Sequence, residues 1–583
     1  MKELIRFLRP GCLLLILTIT MASQAAPSAP SSVCDYYVDN YAGSGGSGSL
    51  TRPWNDINDH VGDLIPGDTM CVRGDISGSG RVYPVDQIYL NSNVGLVRNG
   101  VLGNPITVRS YPDEKVILKN VGSDSIVYFR GADYWGLDGF VMDNNGRGSR
   151  AVRFEQDASH NVLRNNEIYN GKTDGVAISS GHNVGNVIEN NHIHHFDAGD
   201  KDAHCIGIAP KSDDTLIRGN VIHDCSGDGI QIFATDETPV TDYPKNVRIV
   251  DNVFYRGSLP RSEDGIDIKG VDGLETARNE LYGYYERGII IQKGGQNLLF
   301  DSNTIHDTSG GINGHGEGGK HLENVTLTNN QLYNINGRYA ILFDDVYEAV
   351  VYHNTIANMV GSSFRIEGNG LRGGNIRNNL VYNSGKADIA GGTTFANVTV
   401  GYNAWFEAES EFAAPTDIVG SGNPGFVDAA NADYHLSANS PAREAGTDVG
   451  VTTDFEGDPR PYGDRPDIGA DEYWPTLRLT AIPRDHAIWL SWTEYENPAL
   501  ATYVITYTHG TGSSDASQGS SPLPNIPSTT HAYALTDLTN YTFYTVTAAA
   551  RDSSGGDLAV SNSVRAMPTD IFVYLPVIAK SRP

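Results

Sequence analysis

The chain has 583 residues, Gly 65, a charged fraction of 19% and a formal net charge of −28. That length is too great for one compact core but ordinary for a solenoid with appendages, and the Gly-rich, charge-poor composition suits turn-rich β-structure better than helices. The negative charge argues against a nucleic-acid partner, because affinity for phosphate needs a basic surface. It fits an extracellular surface, or acids clustered to hold Ca²⁺.

Residues 1–26 read as a secretory signal. Lys2, Arg6 and Arg9 form a charged end, Cys12 to Ile19 an apolar run, and Ala22 to Ala26 a small-residue cleavage region. The run is too short to span a bilayer, and no other segment could, so a secreted or surface-attached protein is expected. Export permits disulfides. Cys34 and Cys71 lie in two early strand-like runs and make a plausible pair; Cys205 and Cys225, less than one repeat apart, could be bonded or free.

From residue 121 a pattern recurs: Asn, any residue, an aliphatic or aromatic residue, then usually Tyr or His. It begins at Asn166, Asn191, Asn220, Asn252, Asn279, Asn303, Asn330, Asn354 and Asn379. A spacing of roughly 24–32 residues means a solenoid. The short Val- and Ile-rich runs between the Asn residues show strand, not helix, periodicity. Asn at a fixed place suits a bend with αL geometry and an amide stacked on the next rung. A second motif keeps register: Asp174-Gly-Val-Ala-Ile, Asp228-Gly-Ile-Gln-Ile, Asp264-Gly-Ile-Asp-Ile and Arg287-Gly-Ile-Ile-Ile. The expected fold is all-β: a right-handed, single-stranded parallel β-helix followed by a β-sandwich. Its expected parts are an N-terminal module over 33–120, the regular helix over 121–419, a closing module over 420–473, a sandwich over 476–568 and a tail over 569–583. The closing module is expected because the last rung would otherwise expose an apolar cross-section. The tail reads as an extra strand or a sorting signal. A monomer is expected.

With the aliphatics of each repeat turned inward, one outward column reads Gln231, Asp267, Ile290, Asn313, Leu342, Arg365. The next reads Phe233, Lys269, Gln292, His315, Asp344, Glu367. Rungs about 4.8 Å apart would join these into one polar stripe, with Asp228, Asp264 and Arg287 at its edge. The stripe is either a solvated face or a carbohydrate groove. Lys269, next to Asp267 and near Arg287 and Lys293, is the candidate base, its pKa depressed by cationic neighbours. Arg287, Lys293 or Arg365 would clamp a uronate carboxylate, and His315 is the alternative base or leaving-group acid. Asp267, Gln292, Lys293, Asn313, Asp344, Arg365 and Glu367 are the candidate substrate-binding set. His192, His194 and His195 lie close together but occupy the Tyr/His positions of the repeat, which argues against zinc. Asp213-Asp214 and Asp344-Asp345 read as solvated turn acids, or as Ca²⁺ ligands.

The N-terminal motifs Tyr36-Tyr-Val-Asp-Asn, Arg52-Pro-Trp, Pro66-Gly-Asp-Thr and Gly103-Asn-Pro-Ile-Thr-Val resemble the start of secreted β-helix proteins of the pectate-lyase-like superfamily. Asn423-Pro-Gly-Phe, Asp454-Phe-Glu-Gly-Asp-Pro-Arg-Pro and Asp467-Ile-Gly-Ala-Asp-Glu-Tyr resemble their closing module. Residues 476–568 resemble a fibronectin type III domain, with Trp492 as its core Trp and Tyr544 as its tyrosine corner. Asp264-Gly-Ile-Asp-Ile-Lys269 resembles a strand of the alginate lyase and chondroitinase B family. That resemblance implies β-elimination at uronic acids of an extracellular, acidic polysaccharide, with Lys269 as base and Asp264 on Ca²⁺; Asp228, at the edge of the stripe, is a further candidate Ca²⁺ ligand. Two departures stand against it: Gln292-Lys293-Gly294 where the family has an Arg before His-Gly, and Ser262 in place of a second acid. The same strand resembles a second calcium-dependent pectate lyase family. Gly314-His315-Gly316 is similar to a polygalacturonase motif, without the paired acids that a hydrolase needs. The competing expectation is a non-catalytic surface protein that binds carbohydrate.

Overall fold

The computed structural model describes residues 34–568, apart from 77, 475–476, 494, 496–498, 510–525, 541 and 562–563. The expected signal and the tail lie outside the described residues. Among the described residues no helix is long and apolar enough to cross a membrane.

The chain winds as a parallel β-helix. Strands of successive repeats pair in parallel, in a sheet of 22 strands and a second of 14 strands that runs from Arg81–Val85 to Ile418–Gly420. Inside, Ile230, Ile266, Ile289, Ile312, Ile341 and Phe364 stack in one row and are fully buried, which is how a solenoid makes one core from units that have none alone. The Gly of the Asp-Gly-Ile motif is set by close approach. A Cβ on Gly265 would lie 2.6 Å from Leu281 Cδ2 and 2.7 Å from the Gly288 carbonyl.

The repeated Asn forms an internal ladder. From Asn166 through Asn191, Asn220, Asn252, Asn279, Asn303, Asn330, Asn354 and Asn379 to Asn403, each Nδ2 donates to the next Oδ1 at 2.9–3.0 Å. The same Oδ1 also accepts the backbone N–H of the Asn one rung before, as in Asn252 N to Asn279 Oδ1 at 3.0 Å. The αL residue is not the ladder Asn but the one before it, such as Arg278, Ser302 and Asn378. The Tyr/His positions stack alongside: Tyr169, His194, His223, Tyr255, Tyr282, His306 and Tyr333 lie face to face at 4.3–5.4 Å.

Disulfides join Cys34 to Cys71 and Cys205 to Cys225. At the far end, Phe412 packs on Phe364, Phe395 and Trp405 and closes the apolar cross-section. Residues 420–473, expected to do this, lie instead on the flank. Phe426, Tyr434, Leu436 and Ile468 cover the outward Ala357, Leu380, Ala404 and Phe406 of the second sheet. Beyond them, Leu479–Arg484, Ala487–Trp492 and Ala532–Leu535 form one antiparallel sheet. Strands that include Leu500–His509 and Tyr544–Asp552 form the other, around Trp492.

Candidate active site

Strand pairing sets the floor of the site. Gln231, Asp267, Ile290, Asn313, Leu342, Arg365 and Asp388 are successive partners across one sheet, as the column reading expects. Most of this outward row is nonetheless buried: Asp267 is 4% exposed and Asn313 5%. Larger groups lean over it, Lys269 on Asp267 and Arg287 on Asp264. A wall rises where Lys293 Nζ binds Asp236 Oδ1 at 2.9 Å and Lys320 Nζ reaches the carbonyls of Asp236 and Thr238, holding that loop beside the strands. Phe233, 45% exposed at the foot of this loop, and Tyr285, 63% exposed, are bare aromatic faces near the charged groups.

The edge carries a charged row wider than expected. Arg150 Nε meets Asp174 Oδ2 at 3.1 Å, and Asp174 Oδ1 accepts the His204 N–H at 3.2 Å. His204 Nδ1 lies 3.3 Å from Asp228 Oδ2, Asp228 Oδ1 accepts the Asp264 N–H at 3.2 Å, and Arg287 Nη1 lies 3.6 Å from Asp264 Oδ2. Gln231 Nε2 bridges Asp228 Oδ2 and Asp267 Oδ2 at 3.2 and 3.3 Å. His204 and Gln231 were legible only in part. Each sits in the motif frame, but a His or Gln there carries no sign of its neighbours until the register is drawn.

Acids outnumber cations here, and the electrostatics follow. Burial and then the Asp228 charge hold the Asp264 carboxyl well above the usual range, with Arg287 opposing; burial and Asp228 likewise raise Asp267. Burial and Asp228 also raise Glu263. For Lys269, burial disfavours the ammonium, but the 2.8 Å bond to Asp267 and the charges of Asp228 and Asp202 prevail, and its pKa is raised. The expected depression by cationic neighbours is therefore reversed: Lys269 is an ammonium fixed on a carboxylate. His315 goes the other way. Burial and the Arg287 charge lower its pKa against Asp344, whose Oδ2 lies 4.0 Å from Nδ1.

The other expected cations are also engaged. Lys293, expected as a carboxylate clamp, has a φ of 58° at the bend after Gln292, and there it serves the wall. Arg365 is held by Glu367 at 3.0 Å and by Asp388, above the Tyr339 ring. Arg287 also contacts Glu286 at 2.5 Å. Gln292 stands beside Lys269 across the strands, and Asp344 accepts the Asn369 N–H at 2.9 Å.

For a hard cation such as Ca²⁺ the donor chemistry fits: Asp264 Oδ1 and Asp267 Oδ1 are buried without a hydrogen-bond partner, next to Asp228. Among the described residues, however, the groups of three whose ligand atoms come within 4.8 Å lie elsewhere, so these carboxylates would have to draw together.

This architecture defines a parallel β-helix protein with a charged row along one sheet face. A family model described as the right-handed β-helix region matches residues 125–291 and 242–404. No curated protein matches the chain in sequence. A pectate lyase structure is 17% identical over 77% of this chain and 99% of its own, with a TM-score of 0.43. A family 6 polysaccharide lyase from Pseudopedobacter saltans is 12% identical over 66% and 95%, with a TM-score of 0.41. The A-module of a mannuronan C-5 epimerase from Azotobacter vinelandii is 15% identical over 60% and 91%, with a TM-score of 0.38. Likeness at this level carries no conclusion about activity.

Proposed function

We propose that the protein acts on an extracellular acidic polysaccharide by β-elimination at uronic acid residues. The observation that supports this is that His315, its pKa lowered by burial and the Arg287 charge, shares one sheet face with Lys269, which is paired with Asp267 at 2.8 Å. In this reading His315 takes the C5 proton of a uronate whose carboxylate faces Arg287. The C4–O bond breaks as C4=C5 forms, and His315 returns the proton to the departing oxygen on the same face. Lys269, two rungs or about 10 Å away, pairs with the carboxylate of a neighbouring sugar. This replaces the expectation that Lys269 is the base, since an ammonium cannot accept a proton. Phe233 and Tyr285 offer flat faces for sugar rings.

An acidic cleft repels a polyuronate unless positive charge is added. Asp228 and Asp264, with Asp267 beside them, would hold Ca²⁺, which when bound offsets the substrate carboxylate. The Cys34–Cys71 and Cys205–Cys225 bonds support secretion, which the N-terminal sequence also suggests. The sandwich is proposed as a fibronectin type III spacer. Trp492 lies in its core, and the Tyr544 hydroxyl accepts the Thr539 N–H at 3.0 Å, the bond of a tyrosine corner.

The test is a panel of uronate polymers followed at about 232 nm, where the unsaturated product of elimination absorbs, with Ca²⁺ and with chelator. Absorbance that grows with at least one polymer and falls to background in His315→Ala supports the proposal. A second reading, hydrolysis, rests on the buried pair Asp264 and Asp267 with raised pKa values. It would give new reducing ends without absorbance, abolished in Asp264→Asn. Binding with neither product would make the cleft that of a non-catalytic adhesin.

A further inference from the structure

The second sheet carries a histidine cluster that the repeat does not explain. His194 and His223 belong to the aromatic stack, with parallel rings 5.0 Å apart. His192 and His195 do not. At the position of His192 the neighbouring rungs place Glu167 and Val221, and His195 sits in the αL turn where the next rungs have Asn170 and Asp224. The two extra rings bring nitrogens face to face: His192 Nε2 lies 2.7 Å from His223 Nε2, and His194 Nδ1 lies 2.5 Å from His195 Nδ1. One ring nitrogen each of His192, His194 and His223 falls within 4.8 Å of the others.

The surroundings are those of ligands held for a metal. Asp224 Oδ2 accepts the Nδ1–H of His223 at 2.6 Å, which leaves the lone pair on Nε2, facing His192. Asp224 is itself fixed by the Ser258 N–H at 2.5 Å, the Ser258 hydroxyl at 2.7 Å and the Leu259 N–H at 3.1 Å. His194 is buried, its Nε2 makes no hydrogen bond, and Glu167 Oε1 stands 3.5 Å away as an oxygen donor. A cavity of about 320 Å³, lined by Glu167, His192 and Val221 on the helix and by Thr542 and Phe543 on the sandwich, gives access.

We propose that His192, His194 and His223 bind one Zn²⁺, with Glu167 as the fourth ligand and Asp224 orienting His223. Tetrahedral ligation at about 2.0–2.1 Å needs ring nitrogens roughly 3.4 Å apart, a small opening of the 2.7 Å pair. This reverses the sequence expectation. The site is independent of the polysaccharide cleft.

The test is titration of the full chain with ZnCl₂ by calorimetry and with CoCl₂ by visible absorption. One site of micromolar affinity or tighter is expected, with tetrahedral Co²⁺ bands. His192→Ala, at a half-buried position, should lose at least 100-fold in affinity while its thermal unfolding without metal is unchanged. Asp224→Asn should lose about 10–100-fold. His182→Ala, an exposed His paired with Asp213, should bind as the unaltered protein does. Absence of a one-site Zn²⁺ isotherm in the unaltered protein overturns the proposal, as does equal binding by His192→Ala.

Discussion

Lys269 and His315 show how two residues of one row receive opposite electrostatics. Lys269 is pulled to the charged state by Asp267, and His315 is pushed to the neutral state by burial and Arg287. His315→Ala should therefore reduce elimination by about 10²–10⁴-fold in kcat, the usual worth of a general base. Lys269→Ala should act mainly on KM, as expected when a group binds a neighbouring sugar. Because the His315 pKa lies below its ordinary value, its base form persists to lower pH, and the acid limb of kcat/KM should fall below about pH 6.5. A loss of kcat confined to Lys269→Ala would return the base role to the lysine. His315→Ala should shift thermal unfolding little, whereas Lys269→Ala should lower it, because it leaves the buried Asp267 carboxyl without its cation.

At the scale of the element, the Asn ladder is an internal hydrogen-bonded spine. Asn279 donates to the Ile249 carbonyl at 2.8 Å and to Asn303 Oδ1 at 2.9 Å, and it accepts from Asn252. Asn279→Ala leaves several buried partners unsatisfied and should cost about 3 kcal/mol or more, read by denaturant unfolding. Asp fills the equivalent place only at the end of the row. Asp417 Oδ1 accepts the Asn403 N–H at 3.0 Å, and no further Asn asks it to donate. Asn279→Asp should thus destabilise far more than Asp417→Asn.

The adjacent aromatic stack holds His306, where burial opposes charge but the bonds its ring N–H groups donate to Asp307 and Glu280 raise the pKa to about 9. A raised folded pKa gives stability that is complete below the unfolded value of about 6.5 and is lost as pH rises through about 9. His306→Asn should flatten that alkaline loss of melting temperature.

For the whole molecule, the joint between solenoid and sandwich depends on Arg478. Its buried guanidinium binds Asp471 Oδ1 at 2.9 Å, Asp458 Oδ2 at 2.6 Å and the Glu472 carbonyl at 3.1 Å, and it also contacts Glu456. Arg478→Ala would leave these acids without their cation, a loss of about 3–5 kcal/mol. Limited proteolysis should then release the sandwich from residues 34–473, while the solenoid itself melts as before.

Much of this was legible in the sequence because a solenoid converts chain distance into spatial distance by a constant rule. Once Asn166 to Asn379 gave the period and the Asp-Gly-Ile runs gave the phase, the neighbours of Asp267 and Asn313 followed, down to the strand register. The same rule made the Tyr/His positions a stack. What the period could not give was everything that depends on deviation from it. Lys293 turned at an αL bend to hold Asp236, and residues 420–473 settled on the flank while Phe412 closed the end. The sign of the Lys269 shift hung on the burial of Asp267 and the reach of Asp228, and the convergence of His192 on His223 on the rotamers of two side chains one rung apart. A repeat specifies backbone spacing, about 4.8 Å per rung; protonation and ligation are decided by ångström differences in where side-chain tips lie, and only the packed structure sets those.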